Sequence, residues 1–401
     1  MPVTFETTRT AVENKVATMT CPAHNTFNCS LSTEFAASFL YDITSLVLVL
    51  AVMPTILTIG LVGNLAFLFV MARIRSMRTV TNAYLMNLAI ADILFLVVTV
   101  GDKLARYLVT PVPWDQLYLG VAGCTSLNLL QHLFNWVSIF LVTLVTLERY
   151  YGVCHPLKHM VMYTYSRTWK LIAGAWFLAL FCSVVVVPTH CRVLLKCIVW
   201  PDSTEYSAYP NIVGVCAPVP SNDWLAISTN LFQTIPFFSA MVFNCFAYVR
   251  IIRALKDRPG SNALSQHAIS MNDRVRNQVS IMLIANGVSF FVCGAPFQAL
   301  SFGAAIQDIV DDERGFGSFV HVARTMLYLN SAINPFIYNA TNPSYRRSFR
   351  DAFMRRVSSR ESAQRQYLSK ARKSPPQTLN VNSIELCPSK TDKDASGQIT
   401  E

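Results

Sequence analysis

Seven apolar stretches dominate this chain and constrain its fold more than any other feature. Five of them contain no Asp, Glu, Lys or Arg: residues 43–72, 116–147, 171–191, 224–249 and 277–307. The second and the seventh, residues 80–107 and 315–345, each carry a charge deep inside, Asp92 and Arg324 respectively. A helix crosses a bilayer with about 20 apolar residues. The sequence therefore predicts an all-α membrane protein with a seven-transmembrane helix bundle.

Composition and loop charges predict how the bundle is oriented. Hydrophobic residues make up 52% of the chain and charged residues 14%, against about 25% charged in soluble domains. With the N-terminus outside, the inner loops hold twelve Lys and Arg residues and the outer loops five, as the positive-inside rule requires. We expect a multi-pass protein of the plasma membrane with a cytoplasmic C-terminus. Basic loops that face anionic lipid account for the net charge of +10, so no nucleic-acid partner is expected.

The apolar stretches divide the chain into an extracellular tail, the bundle, a short amphipathic helix and a disordered cytoplasmic tail: residues 1–42, 43–342, 343–356 and 357–401. Phe349, Phe353 and Met354 share one helical face, and arginines flank them, a pattern typical of a helix that lies on the inner leaflet. The last part is rich in Ser, Lys, Gln and Pro, which favours disorder. Phosphorylation there would add charge for a partner such as arrestin.

Six cysteines fall on the outer side of the predicted membrane: Cys21, Cys29, Cys124, Cys191, Cys197 and Cys216. Their pairing is open, but the best single bridge is Cys124–Cys216, because the first begins the third span and the second precedes the fifth. Residues 192–200 and 211–215 favour a β-hairpin around a Pro/Asp/Ser turn. Asn28-Cys29-Ser30 is the one outer glycosylation sequon, so Asn28 is a candidate for modification.

Three successive predicted helices carry a proline in their apolar field: Pro236, Pro296 and Pro335. In a membrane bundle, neighbouring groups satisfy the freed carbonyls, so a proline bends a helix without breaking it. We interpret the three prolines as hinges of a switch. Packing kinks without motion are the alternative.

Short motifs follow one another in a fixed order, at least one in each span: Gly63-Asn64, Leu88-Ala89-Ile90-Ala91-Asp92, Cys124, Glu148-Arg149-Tyr150, Trp176, Pro236, Phe290 with Pro296, and Asn334-Pro335-Phe336-Ile337-Tyr338. This ordered set resembles the rhodopsin-like (class A) G-protein-coupled receptors over about residues 43–354. Further stretches are similar to the neuropeptide-receptor branch, thyrotropin-releasing hormone receptors in particular: residues 77–85, 130–133, 154–158 and 328–335, with Arg324 ahead of the last.

The resemblance implies a receptor and not an enzyme. The expected function is binding of an extracellular neuropeptide and activation of a heterotrimeric G protein, of the phospholipase-linked Gq type. A receptor for a non-peptide small ligand is an alternative. A transporter is disfavoured because the chain has no self-similar halves.

The resemblance also assigns a set of switch and G-protein-coupling residues: Glu148, Arg149, Tyr150, Phe290, Pro296, Asn334, Pro335 and Tyr338. At rest Arg149 is expected to pair with Glu148; once freed, its fork of donors can contact a G protein. Many relatives hold this arginine with an acid on the sixth helix. Here Arg276 stands near that place and Asp273 one turn away, so we expect a weak resting latch.

Two aromatic residues usual in the family are replaced. Asn244 stands where the fifth helix usually has a tyrosine, and Gly294 where the sixth has a tryptophan. Either another ring fills the space, with Trp136 and Phe297 as candidates, or signalling is atypical.

Asp92 is the centre of a predicted polar pocket with Ser138, Asn330, Ser331 and Asn334. Carboxylate, hydroxyl and amide oxygens suit a hard cation, so the pocket is a candidate sodium site. The alternative is a buried acid without an ion. No other cofactor is expected.

Six residues are expected to form the ligand site in the outer half: Gln131, His132, Phe297, Gln298, Arg324 and Tyr328. Gln131 stands where amine receptors carry an acid, so an amine ligand is disfavoured. The set suits a peptide end rich in carbonyls, an amide terminus or a carboxylate. The alternative for Arg324 is a structural ion pair with Asp102 or Asp308.

Overall fold

The computed structural model describes residues 25–162, 164–189, 191–217, 223–256, 266–310 and 319–354. The chain divides into two compact units, Met1–Ala352 and Phe353–Glu401. Within the second unit only residues 353 and 354 are described, so the predicted disordered tail lies outside the described residues.

Long helices dominate the first unit: α2 (Ile43–Arg73), α3 (Val80–Val109), α4 (Gly120–Cys154), α6 (Tyr165–Val186), α7 (Asp223–Lys256), α8 (Gln266–Val310) and α9 (Phe319–Thr341). Three short α-helices, α1 (Thr33–Ala37), α5 (Pro156–Met162) and α10 (Pro343–Phe353), and 3₁₀ turns at Arg75–Met77, Leu117–Leu119 and Val187–Thr189 complete the described helical part. By length and apolarity, six of the described helices could cross a membrane. The remaining long helix, α9, carries Arg324 and several asparagines and packs between α2 and α8. The predicted seven-helix bundle is confirmed.

Local chemistry fixes where the helices begin and how they pass their prolines. The side chains of Thr79 and Thr164 accept hydrogen bonds from the backbone N–H groups three residues on, which caps α3 and α6 and satisfies a donor that the first turn leaves free. Pro236, Pro296 and Pro335 lie inside α7, α8 and α9. Each helix continues through its proline, as neighbouring helices allow in a membrane bundle.

A small sheet covers the outer side of the bundle. Strands β2 (Arg192–Val199) and β3 (Ile212–Ala217) form the predicted antiparallel hairpin. Strand β1 (Thr26–Asn28) adds to β2 in parallel, with Thr26 opposite Cys197. The segment predicted as an extracellular tail, residues 1–42, therefore contains two elements that the sequence did not predict, β1 and α1.

Helix α10 follows α9 directly and occupies most of the segment predicted to be amphipathic. Its buried face consists of Tyr345, Ser348 and Ala352, and Phe349 packs against the core. Phe353 and Met354 are exposed.

Candidate functional site

A cavity of about 640 Å³ lies in the outer half of the bundle, lined by all the long helices except α6 and by β3. Five of the six residues predicted to bind a ligand line it: Gln131, His132, Phe297, Arg324 and Tyr328. Gln298 does not. Its side chain is buried, with 1% exposed, and its Oε1 has no hydrogen-bond partner among the described residues.

A charged cluster on α3 forms one wall of the cavity. Asp102 Oδ2 accepts hydrogen bonds from Arg106 Nη2 at 2.9 Å and lies 3.3 Å from Lys103 Nζ. Tyr118 donates to Asp102 Oδ1 at 2.9 Å. Asp102 is therefore bound by Lys103, Arg106 and Tyr118, and the structure shows no ion pair between Asp102 and Arg324. The other alternative partner, Asp308, has a side chain outside the described part of the structure.

The loop hairpin is fastened above this cavity. The predicted disulfide joins Cys124 of α4 to Cys216 of β3, with Cα atoms 5.6 Å apart. Asp115 Oδ1 accepts a hydrogen bond from the Gly214 backbone N–H at 2.9 Å. A Cβ at Gly214 would lie 2.9 Å from the Leu117 Cα, so only glycine permits this close approach.

The remaining outer cysteines in the described residues fall into two classes. Cys29 and Cys191 are free thiols, and burial raises the pKa of the Cys29 thiol. Cys197 is also disulfide-bonded. Asn28 is exposed, and its Oδ1 accepts hydrogen bonds from Ser30; its glycosylation stays a prediction.

The segment before α2 forms part of the cavity rim. Phe27 and Phe39 place their ring centroids 6.5 and 6.0 Å from that of Trp114, and the ammonium of Lys196 lies 5.1 Å above Phe27. Trp114 and Tyr41 both line the cavity.

A polar cluster lies in the middle of the bundle, around Asp92. Asn334 Nδ2 donates to Asp92 Oδ2 at 2.6 Å, and only 1% of Asp92 is exposed. Among the described residues, Asp92 Oδ1 and the Oδ1 atoms of Asn330 and Asn334 have no hydrogen-bond partner. Ser138 is buried as well. Several buried oxygens without donors are the set that a hard cation prefers, so the residues fit a sodium ion.

The space beside Gly294 is filled by an aromatic ring from α7. A Cβ at Gly294 would lie 2.9 Å from Phe237 Cε2, and Phe237 also packs 5.5 Å from Phe291 and 6.5 Å from Phe290 between centroids. Neither candidate from the sequence takes this place. Trp136 stacks on Phe140 at 5.6 Å, and Phe297 lines the outer cavity.

The phenol absent from position 244 is supplied one turn further along α7. Tyr248 lies 3.1 Å from the Thr146 hydroxyl of α4 and donates to Asn244 Oδ1 at 3.3 Å. A Cβ at Gly287 of α8 would lie 1.7 Å from the Tyr248 hydroxyl. Tyr248 thus joins three helices, and sequence analysis missed it because only their packing shows that Gly287 leaves room.

Arg149 is held at the inner end of α4. Its Nε lies 2.8 Å from Glu148 Oε2, and its Nη2 donates to the Thr81 hydroxyl. His159 of α5 lies 3.2 Å from Glu148 Oε1. Arg149 and Glu148 therefore pair in this conformation, while Thr81 and His159 were not foreseen. The side chains of Asp273 and Arg276 lie outside the described residues.

Further switch residues tie the inner ends of the helices together. Tyr338 packs 5.3 Å from Phe67 and 5.9 Å from Tyr345 between ring centroids. Tyr345 donates to Asn82 Oδ1, which joins α10 to α3, and burial raises the pKa of the Tyr345 phenol. Tyr150 lies near His155, with Oη and Nε2 3.4 Å apart.

Comparison with known proteins agrees with this arrangement. Residues 63–338 match the family described as 7 transmembrane receptor (rhodopsin family). The chain is 28% identical to the thyrotropin-releasing hormone receptor of Gallus gallus, over 80% of this chain and 81% of the relative. It is 27% identical to the receptor of the same name in Homo sapiens, over 77% and 78%. It is 28% identical to neuromedin-U receptor 1 of Homo sapiens, over 74% and 71%.

Proposed function

Because the chain belongs to the rhodopsin family of seven-transmembrane receptors, we propose that it is a neuropeptide receptor of the plasma membrane. A peptide binds the outer cavity, and a heterotrimeric G protein is activated at the inner face. The observation that carries this proposal is the coexistence of two sites in one bundle, a polar cavity at the outer end and the held Arg149 at the inner end.

The chemistry of the cavity favours a peptide. Hydrogen-bonding groups, Gln131, His132 and Arg324 among them, alternate with apolar side chains such as Phe297 and Leu327. Peptide carbonyls and termini need such donors, while apolar walls exclude water. The similar receptors are named for peptide hormones. A non-peptide ligand of similar size stays the alternative.

The interior offers a physical path between the two sites. Away from the cavity, the interior contains the Asp92–Asn334 pair, the contact of Phe237 with Gly294, and Tyr248 between three helices. A ligand that favours one arrangement of these contacts shifts the population of the whole bundle. Release of Arg149 from Glu148 would then expose donors to a G-protein helix.

Further parts of the proposal concern partners and ions. Gq-type coupling and an arrestin that reads the phosphorylated tail are expected from similarity to peptide receptors. We place a sodium ion at Asp92 with Ser138, Asn330 and Asn334 as oxygen donors, where it would stabilise the resting arrangement. The N-terminus is outside and the C-terminus in the cytosol.

A cell assay tests the proposal. A neuropeptide library is screened by calcium release in cells that express the receptor, and hits are repeated on two variants. Arg324→Ala should lose peptide potency, whereas Arg149→Ala should keep peptide binding and lose G-protein output. Arg192→Ala and Arg73→Ala are matched controls, because both arginines are exposed, Arg192 does not line the cavity, and Arg73 lies over Phe69. Unchanged responses in both test variants would refute the assigned roles.

A further inference from the structure

The charged side chains of the outer cavity are nearly all basic. Among the described residues that line it, Lys103, Arg106 and Arg324 are cations and Asp102 is the one acid. His132 and His321 also line the cavity and can only add positive charge. The described wall therefore carries at least two more positive than negative charges.

The single acid is already engaged. Asp102 accepts hydrogen bonds from Arg106 and Tyr118 and forms an ion pair with Lys103. Arg106 also donates a hydrogen bond to the Pro113 carbonyl oxygen at 3.1 Å. Because Arg106 is buried as well, it has a structural role. Lys103 uses one of its three donors here, and Arg324 has no carboxylate partner within the described residues.

Lys103 of α3 and Arg324 of α9 line the same cavity. His321 lines it as well, one turn before Arg324 on α9. Like charges repel more strongly in a cavity with low-dielectric walls than in water. An anion between them would offset this repulsion with two attractive pairs.

We infer that the cavity binds a carboxylate of its ligand, seated between Lys103 and Arg324. The guanidinium of Arg324 offers a fork that matches two carboxylate oxygens, and Asp102 with Arg106 holds Lys103 at the wall. The inference rests on the proposed function. It restricts the ligand of the receptor to peptides that carry a free C-terminus, or an acidic side chain, near the end that enters the cavity. A peptide with an amidated end and no acid is excluded.

The sequence contains one competing source of carboxylates, between the outer ends of α8 and α9: Asp308, Asp311, Asp312 and Glu313. Their side chains lie outside the described residues. If they occupied the cations, the cavity would attract no anion. The experiment therefore includes a variant in which all four are changed to Asn or Gln.

The test measures the electrostatic potential of the cavity without any ligand. Ser301 lines the cavity from α8, so Ser301→Cys places a thiol there. Its reaction rates with an anionic (sulfonatoethyl) and a cationic (trimethylammonioethyl) methanethiosulfonate are measured on intact cells. Each rate is divided by the rate at which the same reagent reacts with a small thiol in solution. The receptor without the new cysteine gives the background reaction.

We expect the anionic reagent to be favoured at least about tenfold, a size that charged clefts reach. In the same background, Lys103→Met with Arg324→Met should reduce the preference to about twofold or less. Lys196→Met is the matched control, because this lysine lies over Phe27 and does not line the cavity. This variant should leave the preference for the anionic reagent unchanged. The inference is overturned if the receptor shows no preference for the anionic reagent, or if the paired substitution leaves that preference intact. It is also overturned if the preference is found only after the four acids are neutralised.

A second experiment, with peptides, distinguishes the two sources of the carboxylate, the C-terminus and an acidic side chain. Each peptide that activates the receptor is made with a free and an amidated C-terminus, and with its acidic side chains replaced by amides. Loss of at least about tenfold in potency with one of these changes identifies the carboxylate and supports the inference. Full potency without any carboxylate overturns it while leaving the proposed receptor function intact.

Discussion

Two glycines of α8 each receive an aromatic side chain from α7. Phe237 packs against Gly294, and the Tyr248 hydroxyl lies beside Gly287. Because the usual tryptophan is absent at Gly294, the sequence leaves two alternatives, another ring in that space or atypical signalling. It cannot predict which ring, since that depends on how α7 and α8 cross. Tyr248 carries no local signal at all, because its partners come from three helices.

Restoring a tryptophan at position 294 should destabilise the receptor. A Cβ there already lies 2.9 Å from the Phe237 ring, and overpacking of a core costs about 1–3 kcal/mol. We expect Gly294→Trp to lower the melting temperature of the purified receptor, and Phe237→Ala to rescue it in the double variant. Gly174→Ala is the control, because nothing lies within 4 Å of its added Cβ. Equal stability of Gly294→Trp and the wild type would rule out this packing.

Removing one hydroxyl should loosen the contact between α4 and α7. Tyr248→Phe deletes the hydrogen bonds to Thr146 and Asn244, each worth about 1 kcal/mol, and keeps the ring. Basal G-protein activity, measured by nucleotide exchange in membranes, should rise several-fold. Tyr209→Phe in the outer loop should not change it. A basal rate that stays at the wild-type level would show that Tyr248 does not restrain the resting state.

The sodium site makes a separate prediction around Asp92. If the unpartnered oxygens hold sodium, raising sodium chloride at constant ionic strength should stabilise the wild type against heat, while potassium should do so less. Asp92→Asn removes the charge at nearly constant shape and should abolish the difference between the two ions. A stabilisation by sodium that survives in Asp92→Asn would place the ion elsewhere.

At the scale of elements, the outer sheet joins the N-terminal segment to the loop hairpin. The hairpin could be predicted from its own β-favouring residues and the turn between them. Strand β1 could not, because a three-residue strand is stable only when a larger sheet accepts it. The aromatic residues Phe27, Phe39 and Trp114 then gather over the cavity rim, a contact between segments far apart in sequence.

Removal of this segment should open the cavity. Deletion of residues 2–40 takes away β1 and α1, whereas deletion of residues 2–24 keeps every described element. In the Ser301→Cys background, we expect the longer deletion to raise the reaction rate with both thiol reagents several-fold. Cell-surface staining with an epitope at the new N-terminus checks that both variants are exported. Equal rates in the two deletions would mean that β1 and α1 do not restrict entry.

At the scale of the whole molecule, the seven-helix architecture could be predicted almost entirely from the sequence. Apolar runs without charges require a bilayer, and loop arginines favour one orientation. The charged wall of the cavity could not be predicted, because the sequence does not show which face of α3 lines the cavity, and this face carries Lys103 and Arg106. For the same reason the sequence left Asp102 open as an alternative partner of Arg324.

The central claim is that the outer cavity and the inner face are coupled through one bundle. Coupling between two binding sites is reciprocal, so a G protein bound inside must change the cavity outside, even without a peptide. The direct measurement is the reaction rate of Ser301→Cys in nanodiscs, with and without a nucleotide-free Gq heterotrimer. We predict a several-fold change that a non-hydrolysable GTP analogue reverses and that Arg149→Ala abolishes. An identical rate in the presence of a G protein that demonstrably binds would contradict the coupling.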